Sequence, residues 1–168
     1  MRYLLIFFFF LSKSTVAQQT FVEKCLGGWQ GTMYMYNDGI VEDSVPVKLT
    51  VAATKDTGVW VWRTEYLSVK RPMVKDYTLK MKDKAKKIYV IDEGGGLLLE
   101  NYVFSQKMYS LFETQQVYLT ATYELIGENL VFEVTSGKKL TATHPEVNNY
   151  SIANVQRVVL QKTIISKH

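Results

Sequence analysis

From Trp29 onward the chain alternates apolar and polar residues with a period of two. In the first such run Trp29, Gly31, Met33 and Met35 share one face, while Gln30, Thr32, Tyr34 and Tyr36 share the other. That is the pattern of a half-buried strand. Similar runs cover 45–53, 59–68, 76–82, 87–92, 97–104, 108–114, 117–125, 130–136 and 155–165. Turn signals separate them: Asn37-Asp38-Gly39, Lys55 to Gly58, Asp83 to Lys86, Gly94-Gly95-Gly96 and Gly127-Glu128-Asn129. The polar stretch 137–151 reads as the longest loop. Helical spacing appears only in 18–26, where Phe21, Val22, Cys25 and Leu26 fall on one side of a short helical turn.

These elements predict an all-β domain. Nearly every connection is short enough for a hairpin, which favours an up-and-down meander over a two-sheet sandwich with crossovers. A long open meander leaves an exposed edge at each end, and closure removes both. The expectation is an up-and-down antiparallel barrel of about 8–10 strands around an interior that can be hollow.

Residues 1–17 have the layout of a secretion signal: Arg2, the apolar run Leu4 to Leu11, and Thr15-Val16-Ala17 as a cleavage site before Gln18. A single domain over 18–168, secreted or periplasmic, is expected after cleavage. No second apolar run approaches the ~20 residues of a membrane-spanning helix. Cys25 is the only cysteine, so no internal disulfide can form. It lacks the small-residue box of a lipid attachment site and reads as a buried thiol.

The chain carries 20 Lys and Arg against 16 Asp and Glu. The excess concentrates in Lys70, Arg71, Lys75, Lys80, Lys82, Lys84, Lys86 and Lys87, opposed there only by Asp76 and Asp83. A basic hairpin of this kind can face an anionic surface or stand as a solvated face that discourages edge pairing. Export and the lack of interleaved aromatics argue against nucleic acid as a partner.

The tripeptide Gly27-Gly28-Trp29 at the mouth of the first strand resembles the calycin group, the lipocalins, fatty-acid-binding proteins and their bacterial relatives. Their mark is Gly-x-Trp on the first strand with an Arg or Lys of the last strand across the indole. Gly27 and Trp29 match it, and Arg157 is the candidate for the cation. The resemblance implies a lipocalin-like barrel in which these three residues are structural, Trp29 capping the closed end.

A pocket is sought on the strand 59–68. If Trp60, Trp62 and Tyr66 point inward they form an aromatic wall; in the opposite phase Arg63 and Glu65 would be buried instead. With Tyr77, Leu79, Phe112 and Tyr123 they are the candidate ligand-binding residues. Ser110 and Ala121 are small beside such aromatics, which leaves room. Some calycin-type bacterial barrels hold haem through one histidine; His144, the only internal one, precedes a proline in the long loop and reads as surface. No cofactor, metal site or catalytic signature is expected: multiple His or Cys ligands, a nucleophile elbow and a P-loop are all missing. Asp92-Glu93 beside three glycines reads as a solvated loop. The expected function is therefore non-enzymatic binding of a small apolar or amphipathic molecule. The alternative is an envelope interaction protein with a filled core, acting through its basic hairpin.

Overall fold

The computed structural model describes residues 19–115, 117–141 and 146–163. The expected leader 1–17, His144 and the end of the last expected strand at Ile165 lie outside the described residues. Helix α1 (Phe21–Cys25) precedes ten strands: β1 (Gly27–Asn37), β2 (Ile40–Ala53), β3 (Val59–Tyr66), β4 (Met73–Asp83), β5 (Ile88–Asp92), β6 (Leu98–Phe104), β7 (Lys107–Thr114), β8 (Val117–Ile126), β9 (Asn129–Lys138) and β10 (Asn154–Lys162).

Each strand pairs antiparallel with its neighbours in sequence, and β10 returns to pair with β1, so the sheet closes as the alternation predicts. The seam runs from Trp29 opposite Lys162 to Asn37 opposite Asn154. A side chain at Gly31 would strike the Val159 carbonyl and the Val158 side chain across that seam, so the two strands meet this closely only because glycine stands there.

Two stretches differ from expectation. Strand β2 begins at Ile40 rather than Val45, because the polar Glu42-Asp43-Ser44 segment pairs with the end of β1 around a bulge between Met35 and Tyr36. The polar stretch after Gly137 continues the β9–β10 ladder beyond the barrel rim. Lys139 bridges Tyr150, and Leu140 N–H donates to the Asn149 carbonyl at 2.8 Å. Both segments are mostly exposed on both faces, so backbone pairing, not burial, holds them.

Inward side chains fill the half of the barrel nearest the start of β1. Met33, Val47, Leu49, Val51, Trp62, Leu79, Met108, Leu130, Val158 and Leu160 are all essentially without solvent exposure. Helix α1 stoppers that end with Phe21, Val22 and Cys25. Thr20 caps the helix, its hydroxyl accepting from Glu23 N–H while the Glu23 carboxylate accepts from Thr20 N–H at 2.7 Å. Among the described residues the opposite end has no such stopper.

Candidate binding chamber

Above the packed half lies a chamber of about 200 Å³. Strands β3 to β9 form most of its wall, and the alternation of each strand decides which side chains reach it. Tyr66, Tyr77, Phe112, Tyr123 and Phe132 supply rings, while Ile91, Leu99, Leu119, Ala121 and Val134 supply aliphatic surface. Thr64, Asn101, Ser110, Lys75, Glu93 and Gln156 supply polar groups. Tyr123 stacks on Phe132 at 4.4 Å between ring centres and meets the buried Trp62 edge-on at 5.0 Å. This aromatic stack forms the floor.

The buried polar groups are partly tied down. Asn101 donates to the Leu99 carbonyl at 2.8 Å and Ser110 to the Glu100 carbonyl at 2.7 Å. The indole N–H of Trp62 is turned toward the Tyr123 hydroxyl and favours its ionised form, but it closes no hydrogen bond. Burial outweighs that influence and pushes the Tyr123 hydroxyl far above its ordinary range. Tyr77 is raised as well, first by burial and then by the Glu93 carboxylate that faces it; Tyr66 follows for the same two reasons. The Lys75 ammonium stands over both rings, 5.7 Å from Tyr66 and 5.9 Å from Tyr77.

Strand β3 adopts the phase with its aromatics inward. Arg63 points outward, bonded to Asp76 at 3.0 Å and within 3.6 Å of Glu65. Of the residues sought in the sequence, Tyr66, Tyr77, Phe112 and Tyr123 line the chamber together, as do the small Ser110 and Ala121, which face each other across β7 and β8. Trp62 underlies the floor. Leu79 belongs to the packed half, and Trp60 sits lower still, 6.1 Å from the Tyr89 ring. Lys75 and Asn101 were not sought as chamber residues, and Glu93, expected in a solvated loop, lines the chamber instead, although strand phase points to each. Lys75 is in step with Tyr77 and Leu79, Asn101 with Leu99 and Val103, and Glu93 with Tyr89 and Ile91.

The mouth widens into an outer hollow of about 460 Å³. Met35, Val45, Met73, Asp43, Ser68, Lys70 and Arg71 wall it, and it shares Tyr66, Lys75 and Gln156 with the chamber. The eight clustered cations are thus dispersed. Lys70, Arg71 and Lys75 stand at this mouth, Lys80 and Lys82 are bonded on the outer wall to Asp92 and Glu100, and Lys84 to Lys87 mark the β4–β5 turn at the other end. A larger depression of about 740 Å³ near α1 is walled by Lys24, Gln106, Glu128 and Lys162 with few converging apolar groups, so it is the poorer receptor.

At the closed end one expectation is corrected. The cation over Trp29 is Lys162, 5.2 Å from the ring centre, not Arg157. Val158 and Leu160 of β10 point inward, so Arg157 points out and bonds Glu133 at 3.3 Å, while Lys162 keeps the inward phase. Trp29 itself donates its indole N–H to the Cys25 carbonyl at 2.7 Å, and Gly27 precedes it at φ 122°, a conformation open to glycine. Burial pushes the Cys25 thiol up to about 12. Among the described residues no group of three or more His, Cys, Asp or Glu could hold a metal ion. No helix among them is long and apolar enough to cross a membrane.

No family model matches the chain, and no curated protein matches it by sequence. Solved structures match its fold. It resembles an S-type phycobiliprotein lyase from Guillardia theta, with a TM-score of 0.63 over 88% of this chain and 92% of that one, at 8% identity. It also resembles a protein of unknown function from the DUF3598 family of Nostoc punctiforme, with a TM-score of 0.60 at 13% identity. That match covers 84% of this chain and spans about half (49%) of the other protein. Both likenesses are of fold: a closed antiparallel barrel.

Proposed function

We propose that this chain is an exported binding protein that holds a small apolar or amphipathic molecule in the upper half of its barrel. The observation that carries the reading is the chamber of about 200 Å³ with ring-bearing walls above an otherwise solid core. Engineered apolar cavities of about 150 Å³ take up benzene, so this one has room for a body of one or two rings. Tyr66, Tyr77, Phe112 and Tyr123 would grip such a body by stacking and edge contacts, and the polar groups of the mouth would set its orientation. The likeness in fold to a phycobiliprotein lyase supports a small-molecule partner.

The first test is native mass spectrometry of the protein recovered from the compartment it is exported to. A co-purifying small molecule lost in Ala121→Phe, which places a ring in the chamber, is the expected result. A bare polypeptide mass, together with failure of naphthylethanol to bind the purified protein, would overturn the proposal. N-terminal sequencing of the same sample checks export, with Gln18 expected first.

A further inference from the structure

The polarity of the chamber and its mouth is arranged along one axis, and this says which end of a ligand goes in first. Inside, the Glu93 carboxylate faces Tyr66 and Tyr77 and adds to the burial that raises their hydroxyls. A second anion seated beside it would be repelled. At the mouth the sign reverses. Lys70, Arg71 and Lys75 surround the outer hollow with Asp43 as the single acid, and Asp43 already accepts from Ser44 N–H at 2.7 Å.

These cations differ from most of those on the barrel wall. On the wall, Arg63, Lys80, Lys107 and Arg157 each reach a carboxylate, at 3.0, 2.8, 2.9 and 3.3 Å. Among the described residues Lys70, Arg71 and Lys75 close no ion pair. Apolar side chains of Met35, Val45 and Met73 lie beside them, so an anion seated there would be partly withdrawn from water. Lys75 belongs to both hollows and marks the boundary between the apolar body of a ligand and its head.

We propose that the bound molecule is an amphipathic carboxylate, its ring-bearing body in the chamber and its carboxylate at the mouth between Lys70, Arg71 and Lys75. The inference rests on the chamber being a binding site. Arg71 presents a planar fork that suits a carboxylate, and the two lysines supply point charges around it. Glu93 makes the reverse orientation unfavourable, so the pocket discriminates by direction as well as by charge.

Three probes that share one body test this: naphthylacetate, naphthylethanol and naphthylethylamine, titrated against the chain beginning at Gln18 by calorimetry at neutral pH. The acid is expected to bind about tenfold more tightly than the alcohol, the scale of one or two charge-assisted hydrogen bonds. The amine is expected to bind most weakly. Lys70→Gln combined with Arg71→Gln should remove most of the preference for the acid, Lys75 retaining the remainder, and should weaken the acid far more than the alcohol. Both residues lie in the β3–β4 loop, so the fold is not at stake, and an unchanged thermal unfolding midpoint verifies that. Raised salt should weaken the acid alone. Equal binding of acid and alcohol, or a preference undiminished by the double substitution, would overturn the anion assignment and leave the chamber standing. Failure of all three probes to bind would overturn both.

Discussion

Trp62 has the largest side chain among those with no solvent exposure, and it joins the packed half of the barrel to the chamber floor through Tyr123. Trp62→Ala is expected to cost about 3–5 kcal/mol in urea unfolding, because the void it leaves sits between elements that cannot collapse inward. Tyr66→Ala, at the mouth, is expected to weaken naphthylethanol binding with a much smaller loss of stability. If the two variants behaved alike, the division into floor and wall would be wrong. Cys25 yields a pH prediction. Its thiol ionises at about 12 in the fold against 9.0 ordinarily, so its contribution is whole below pH 9.0 and disappears as pH rises through the folded value. Tyr66, Tyr77, Tyr89 and Tyr123, all raised above 10.0, act in the same direction. Urea stability should therefore fall with rising alkalinity, and a thiol reagent should modify Cys25 only as fast as the barrel unfolds. Rapid labelling of the native protein at neutral pH would contradict the burial. The misassigned cation shows where residue-level reading needs strand phase. Arg157 was the arginine in view, but the alternation that buries Val158 and Leu160 turns it outward and gives the indole to Lys162.

Strands were legible wherever one face is buried, because a period of two then separates the residues that leave water from those that stay. The start of β2 and the ladder beyond Lys138 were not legible. Their cohesion is main-chain hydrogen bonding between exposed stretches, and that leaves no mark on side-chain polarity. Helix α1 was legible as a turn but not as a stopper, since its function depends on what closes over it. Thr20→Ala removes the hydroxyl of its capping box and is expected to cost about 1 kcal/mol by thermal unfolding. Gly31→Ala tests the seam: a methyl group there must push Val158 and Val159 aside, and a cost of about 1–3 kcal/mol is expected. A neutral result would show that β1 and β10 can separate without penalty.

At the scale of the molecule, the architecture follows from its edges: ten strands joined in sequence have two unpaired margins unless the first meets the last. What sequence could not show was the uneven filling of the barrel. Whether a space stays open depends on the summed volumes of side chains from seven strands, and no local pattern reports that sum. The chamber was visible only in part, through Ser110 and Ala121 beside aromatics. A chain ending before Asn154 is expected to aggregate rather than form a smaller barrel, because β1 and β9 would both present bare ladders. Light scattering of that truncated form would reveal it, and a monodisperse monomer would contradict the role of the seam.

The contact of Lys162 with Trp29 sits at the last pair of the closing seam. Thr163 N–H donates to the Gly28 carbonyl at 2.8 Å just beyond it, so the final residues of β10 dock where the first residues of β1 and the helix converge. If β10 slipped by one residue, every one of its side chains would change face and Lys162 would leave the indole. The stopper thus serves as an alignment gauge. The last strand can lock down only when the whole circumference has come round in the correct register, and the surroundings of Trp29 record whether it has.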